Sequence, residues 1–102
     1  MIARHWRGWT EVQNADAYET LLTDKVLPAL KNVEGWRGGY VLRYDGPQEV
    51  EFVVMNLFDS IEAVQGFAGP DYTIPVFDPE AKDLLSKFDP VAMHYEVRAN
   101  TV

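Results

Sequence analysis

The sequence predicts an α+β domain with a four-stranded antiparallel sheet. Four stretches show the alternation of side chains that is typical of strands, and between these stretches apolar residues recur at helical spacing. The resulting order is strand, helix, strand, strand, helices, strand, which is the split β-α-β order of ferredoxin-like folds. In its usual arrangement the fourth strand lies beside the first, followed by the third and the second. A length of 102 residues suits one domain, so residues 1–102 are expected to form a single unit.

The third predicted strand, Glu49–Phe58, is apolar on both faces. One face carries Val50, Phe52, Val54, Asn56 and Phe58, and the other carries Glu51, Val53, Met55 and Leu57. A chain this short usually has enough helix to cover only one face of a sheet. We therefore predict a homodimer in which a second copy covers the other face.

The first strand is predicted over residues 1–10, and a long helix follows it. Asn14 is the predicted cap of this helix, and Gly35 is its predicted end. Pro28 lies inside the helix and has no amide hydrogen, so we expect a kink or a change of register there. The apolar stripe that packs on the sheet is Tyr18, Leu21, Leu22, Val26, Leu30 and Val33.

The second half of the chain contains a hairpin, two short helices and a last strand. A second strand over residues 37–45 joins the third through a turn at residues 45–48. Ser60 is expected to cap a helix over Ile61–Ala68. Asp78 and Pro79 are expected to start another helix, over residues 80–87. Residues 91–98 alternate as the last strand.

Charge and composition exclude several classes of function. There are 9 basic and 16 acidic residues, and a net charge of −7 is unsuited to nucleic acid or to an anionic membrane surface. The absence of cysteine excludes disulfides, thiolate nucleophiles and cysteine-ligated metals. No long apolar run resembles an export signal or a membrane span. The expectation is a soluble, cytoplasmic protein.

Polar residues within apolar strands are the candidates for chemistry. If the first and last strands are neighbours, His5 lies near His94 or Glu96, and the three side chains either bind a divalent metal or relay a proton, or form an ordinary hydrogen-bonded group. Their spacing matches no metal motif, so we predict that no metal is needed. Asn56 either faces a ligand or bonds a neighbouring loop or helix end.

The chain resembles the antibiotic biosynthesis monooxygenase-like family of dimeric α/β barrels. The resemblance covers nearly the whole chain in element order, and its residues are Gly8-Trp9-Thr10, Gly35-Trp36 and Phe58-Asp59-Ser60-Ile61-Glu62-Ala63. Family members commonly show Trp-Glu-Ser-x-Glu-Ala at the last of these. The resemblance implies ferredoxin-like subunits that pair through their sheets. It also implies that some relatives oxidise polycyclic phenols with molecular oxygen and no metal or flavin, using asparagine and tryptophan beside the pocket.

This sequence departs from the family pattern at three points. Phe58 stands where the family has tryptophan, and Val54 stands where the oxygenase asparagine would lie. Asn56 is on the same face but two residues later. Haem-degrading relatives place a histidine on the following helix, and Ile61–Ala68 contains none.

The resulting functional hypothesis is a cofactor-independent monooxygenase for a small aromatic or polyketide-like phenolic substrate. Asn56 and His5 are the predicted catalytic residues, and the predicted substrate-binding residues are Trp6, Val54, Phe58 and Tyr72. Tyr72 is included because it lies in an irregular loop of the kind that often forms a lid. The alternative is a small-molecule-binding or structural homodimer of the same fold that catalyses no reaction.

Overall fold

The computed structural model describes residues 1–101 and contains one antiparallel sheet. Its strands are β1 (Ile2–Glu11), β2 (Trp36–Asp45), β3 (Glu49–Phe58), β4 (Leu85–Phe88) and β5 (Met93–Glu96). The order across the sheet is β2, β3, β1, and then β4 and β5, which pair with different parts of β1. The predicted ferredoxin-like α+β fold is confirmed, with the fourth strand position divided between two short strands.

The helical segment after β1 changes register along its length. It comprises a 3-10 turn (Val12–Asn14), α1 (Ala15–Leu21), a π-helical turn (Leu22–Val26) and α2 (Leu27–Leu30). The register change expected near Pro28 is confirmed, since the wider π turn ends just before this residue, which cannot donate a backbone hydrogen bond. Within residues 1–101, no helix is long and apolar enough to cross a membrane.

The predicted start of the helix is confirmed in position, since Asn14 directly precedes α1, but its side-chain cap and the predicted end at Gly35 are wrong. The Asn14 side chain makes no capping hydrogen bond, because the preceding 3-10 turn already gives this residue helical dihedrals. The last helical turn ends at Leu30, and turns lead from there to Gly35, whose φ is +85°. A Cβ at Gly35 would lie 2.6 Å from the Cβ of Ala63, so close packing also requires glycine there.

The later helices are α3 (Ile61–Ala68) and α4 (Pro79–Leu84). The predicted caps are confirmed: the Ser60 hydroxyl accepts from the Ala63 amide at 3.2 Å, and Asp78 accepts from the Glu80 amide at 3.0 Å. The helix predicted over residues 80–87 is too long, since Leu85–Phe88 forms β4. Pairing with β1 supplies backbone hydrogen bonds to this segment, and these outweigh its local preference for a helix.

The helices cover one face of the sheet, called here the covered face. Phe52 and Phe58 on this face are fully buried, and Phe52 meets the Tyr18 ring edge-on at 4.9 Å between centroids. The opposite face is called here the open sheet face. Several large side chains on it are about half exposed or more. These are Tyr40, Leu42 and Tyr44 on β2 and Met93 and Tyr95 on β5.

Candidate functional site

A row of residues crosses the covered face from one edge of the sheet toward the other. Gly39 of β2 pairs with Asn56 of β3, Asn56 pairs with Arg4 of β1, and Arg4 pairs with His94 of β5. Residues paired directly across antiparallel strands have Cβ atoms about 4.5–5.5 Å apart. The register therefore brings an amide, a guanidinium and an imidazole together beneath the helices.

A cavity lies between this row and the helical segment. Its volume is about 60 Å³, well below the roughly 300–1,000 Å³ of pockets that hold drug-sized ligands. Residues 75–78, from the loop between α3 and α4, form part of its wall. The other lining residues are mainly apolar: Arg4, Trp6, Tyr18, Leu21, Leu22, Val26, Leu30, Val54, Asn56, Phe67 and Ala81.

Asn56 is held by a tryptophan from the neighbouring strand. Its side chain is 5% exposed, and its Oδ1 accepts a hydrogen bond from the Trp36 indole Nε1 at 3.0 Å. A Cβ at Gly39 would collide with the Asn56 side chain and lie 2.6 Å from the Met55 carbonyl oxygen. Trp36 and Gly39 therefore fix the amide on the cavity wall, with its Oδ1 directed toward the indole.

Arg4 is a buried cation on the same wall, with 5% of its surface exposed. Its Nη1 donates to the Tyr72 carbonyl oxygen and lies 3.0 Å from His94 Nε2, and its Nη2 donates to the Ile74 carbonyl oxygen at 3.2 Å. The guanidinium carbon lies 5.7 Å from the centre of the Phe67 ring. Burial lowers the pKa of Arg4 from its ordinary value.

His94 accepts the Arg4 hydrogen bond and is therefore neutral at Nε2. Burial, together with the positive charge of Arg4, lowers the pKa of His94 below its ordinary value of 6.5. The rings of His94 and Tyr72 pack edge-to-face, with their centroids 5.0 Å apart. Near neutral pH His94 thus orients Arg4 without adding a second positive charge.

Tyr18 of α1 is a further residue of the cavity wall. The residue is 1% exposed, and burial raises the pKa of its hydroxyl above the ordinary value of 10.0. It therefore remains protonated at any ordinary working pH. A neutral phenol can donate or accept a hydrogen bond here, but it cannot supply a base.

The structure brings three of the six predicted site residues to the cavity wall, namely Asn56, Trp6 and Val54. Phe58 is fully buried in the adjoining core beside Leu30 and Val64 rather than on this wall. Tyr72 contributes a backbone carbonyl to Arg4, but its side chain packs against the core cluster of Leu30, Phe58 and Val64 and does not line the cavity.

His5 lies on the wrong face for the predicted catalytic role beside Asn56. It pairs with Met55 across β1 and β3, so its side chain belongs to the open sheet face. The register likewise separates it from His94 and Glu96, which pair with Arg4 and Ile2 on the covered face. Within residues 1–101 no cluster of three or more metal-ligating side chains occurs. The grouping expected from the sequence is therefore wrong.

Sequence reasoning missed Arg4 and Tyr18 as site residues. Tyr18 was assigned to the apolar stripe of the helix, which is correct for its ring but disregards its hydroxyl. The available signal for Arg4 was its alternation with Trp6, since residues two apart on a strand share a face. The prediction that Trp6 lines a pocket therefore also places Arg4 beside that pocket.

Comparison with known structures shows the same fold over the whole chain. A protein from Bacillus cereus classed as an antibiotic biosynthesis monooxygenase has a TM-score of 0.71 at 16% identity, covering 99% of this chain and 96% of its own. A protein of the same class from Deinococcus radiodurans has a TM-score of 0.71 at 16% identity, covering 100% and 97%. The chain has the fold of the antibiotic biosynthesis monooxygenases. The resemblance drawn from the sequence is confirmed at this level.

A third similar structure is the haem degrader MhuD from Mycobacterium tuberculosis, solved with two haems in its active site. Its TM-score is 0.69 at 17% identity, and the match covers 100% of both chains. No family model matches this chain by sequence, and no curated protein does so.

The histidines of this chain do not fit haem binding in the cavity. Helix α3 carries no histidine, His5 is on the open sheet face, and Nε2 of His94 already accepts from Arg4. An imidazole ligand to iron needs that nitrogen lone pair free.

Proposed function

We propose that this protein is a cofactor-independent monooxygenase that acts on a small aromatic or phenolic substrate in the cavity beneath the helices. The observation that carries the proposal is the placement of Asn56, a buried amide held by Trp36 on an otherwise mainly apolar wall. A few placed polar groups in an apolar hollow are typical of small-molecule sites. The fold shared with proteins classed as monooxygenases supports the reaction class.

The reaction that suits this site is oxidation of an anthrone- or quinol-type compound at a ring carbon. The substrate carbon loses a proton to solvent, and the resulting anion transfers electrons to molecular oxygen and forms a carbon-bound peroxide, which takes up a proton. Cleavage of the O–O bond, with loss of the remaining hydrogen from the same carbon, then releases water and leaves a carbonyl group, so one oxygen atom enters the product and the other enters water. The side chains bind and orient the substrate, and the apolar wall limits access of water to the anion.

The small cavity volume implies that the wall must move to admit such a substrate. Residues 69–78 form the irregular connection between α3 and α4, and Ile74 and Val76 within it are about half exposed. This loop is tied to β1 through Arg4 and to the segment before β5 by the Ala92 amide, which donates to the Thr73 carbonyl oxygen at 2.7 Å. We propose that outward movement of the loop opens the site.

Oxygen uptake with anthrone- and quinol-type substrates tests the proposal. Asn56→Ala should reduce enzyme-dependent uptake by more than about tenfold, equivalent to roughly 1.4 kcal/mol of barrier. Asn32→Ala is the matched control, because Asn32 is exposed and outside the cavity wall. Equal uptake by wild type and Asn56→Ala, with both proteins folded, would contradict a role for this amide in turnover.

The alternative function is a small-molecule-binding homodimer that catalyses no reaction. The same polar groups in the same cavity support it, since orientation of a ligand does not require turnover. Saturable binding of aromatic ligands without oxygen uptake above the uncatalysed rate would favour this alternative.

A further inference from the structure

Arg4 carries a buried positive charge that no acidic side chain neutralises. Among the residues that the structure describes, seven ion-pair contacts within 4.0 Å are found, and none involves Arg4. The other buried polar residues on the cavity wall are uncharged. A buried charge is costly unless it is paired and fully hydrogen-bonded. Carbonyl oxygens and a neutral imidazole compensate the guanidinium in part but supply no opposite charge.

We propose that the cavity binds an aromatic anion whose ionised oxygen pairs with the Arg4 guanidinium. The inference deepens the proposed function by assigning the charge of its ligand, and it rests on that proposal for the location of the site. The ionised oxygen belongs either to a carboxylate or to a phenolate, because both are anionic oxygen acceptors that a guanidinium binds well.

The hydrogen bonds of Arg4 leave capacity for a ligand. A guanidinium has five N–H groups, and the described protein atoms accept from three of them: the Tyr72 carbonyl, the Ile74 carbonyl and His94 Nε2. The Nε hydrogen and one Nη2 hydrogen remain. Nε and Nη2 together form one edge of the planar group, and an edge of this kind makes paired hydrogen bonds with a carboxylate.

The neighbouring groups are compatible with an anion at this position. His94 and the Tyr18 hydroxyl are neutral near pH 7, for the reasons given above. Asp78 is the acidic residue on the cavity wall, and its Oδ1 accepts from the Glu80 amide at the start of α4 rather than from Arg4. Asn56, paired directly with Arg4 across the strands, offers its Nδ2 as a second donor to the same ligand.

The apolar part of the wall suits the ring of such a ligand. The Trp6 indole meets the Phe77 ring edge-on with centroids 5.5 Å apart, and Val54 lies beside Trp6 on β3. The Trp6 Nε1 already donates to the Asp89 carbonyl oxygen at 2.9 Å. Its ring is therefore fixed in place and provides surface rather than a polar contact.

If the ligand is a phenol, Arg4 also promotes its ionisation, because a nearby positive charge stabilises the phenolate relative to the phenol. That effect would supply the substrate anion required by the proposed oxidation without a histidine base in the cavity. Arg4 would then be a catalytic residue that touches the reacting group.

The first experiment uses the wild-type protein and three probes that are not substrates for oxidation. Binding of 2-naphthoate and its uncharged counterpart 2-naphthamide is measured by calorimetry, and the pKa of bound 4-nitrophenol is measured from its visible absorbance. Tighter binding of naphthoate than naphthamide by about tenfold identifies a carboxylate site. A decrease of about one unit in the nitrophenol pKa identifies a phenolate site.

The second experiment compares variants. Arg4→Met should weaken naphthoate binding to the level of naphthamide and abolish the nitrophenol shift, whereas Arg4→Lys should retain part of both. Arg37→Gln removes the same charge from a side chain that is 57% exposed and ion-paired with Asp59 at 2.7 Å, so it should change neither. The wild-type measurements decide the question even if Arg4→Met does not fold.

The proposal is overturned if wild-type protein binds naphthoate no better than naphthamide and leaves the nitrophenol pKa unchanged, or if it binds none of the three probes. A lowered melting temperature in Arg4→Met without charge discrimination in wild type would mean that Arg4 only fastens the loop. Because no probe is oxidised, anion binding is separable from turnover. Discrimination without oxygen uptake would reject the oxygenase proposal and keep this one.

Discussion

Replacement of Trp36 by phenylalanine isolates the hydrogen bond that holds Asn56. The indole Nε1 donates to Asn56 Oδ1 at 3.0 Å, and the asparagine is 5% exposed. Phenylalanine keeps most of the aromatic surface but leaves a buried acceptor without its donor. The expected loss is about 1–3 kcal/mol in the free energy of unfolding, and each kcal/mol lowers the melting temperature of a domain this size by roughly 4–8 °C.

A double-mutant cycle in urea separates this hydrogen bond from other effects of the substitution. Asn56→Leu removes the acceptor, so Trp36→Phe should cost less in that background, with a coupling energy of about 1 kcal/mol or more. Trp9→Phe provides the control, because Trp9 lies outside the cavity wall and pairs with Glu51, away from Asn56. A Trp36–Asn56 coupling energy no larger than that of the Trp9 pair would refute the reasoning.

Three further predictions test the site and the assembly. The free energy of unfolding should fall as the pH is lowered below 6.5, because His94 then becomes protonated in the unfolded chain before it does so in the folded chain. His94→Gln should remove that part of the decline, which is measured as the change in stability between about pH 7.5 and about pH 5.5. A Cβ at Gly39 would collide with Asn56, so Gly39→Ala should lower the free energy of unfolding by about 1–3 kcal/mol. The control is Gly66→Ala in α3, where an added Cβ meets no atom within 4 Å and should be neutral or stabilising by up to about 1 kcal/mol. Equal melting temperatures for the two variants would contradict this contrast. Met55→Lys on the open sheet face should convert the expected homodimer to monomer or aggregate, and a wild-type mass near 11.6 kDa by light scattering would reject the homodimer.

The sequence was informative where local chemistry determines local structure. Ser60 and Asp78 cap the helices as expected, because a side-chain oxygen before a helix has a backbone amide within reach. Alternation placed Val54 and Asn56 on one face of β3, and that face lines the cavity.

The remaining errors concern features of the structure that tertiary contacts determine. Leu85–Phe88 is compatible with a helix by composition, and only its pairing with β1 makes it a strand. The strand pattern of β1 also could not show which of its faces the helices would cover, and a shift of one residue exchanges the roles of Arg4 and His5. The predicted site therefore included the histidine of the open sheet face and omitted the arginine of the covered one.

A crystal structure of the protein with 2-naphthoate would show whether Arg4 binds an aromatic anion. We expect the ring between the helical segment and the covered face, near Trp6 and Val54. We also expect a carboxylate oxygen at hydrogen-bonding distance, about 2.7–3.2 Å, from Arg4, with the loop of residues 69–78 displaced outward. A ligand bound on the open sheet face, or in the cavity with its carboxylate directed away from Arg4, would contradict anion binding by Arg4.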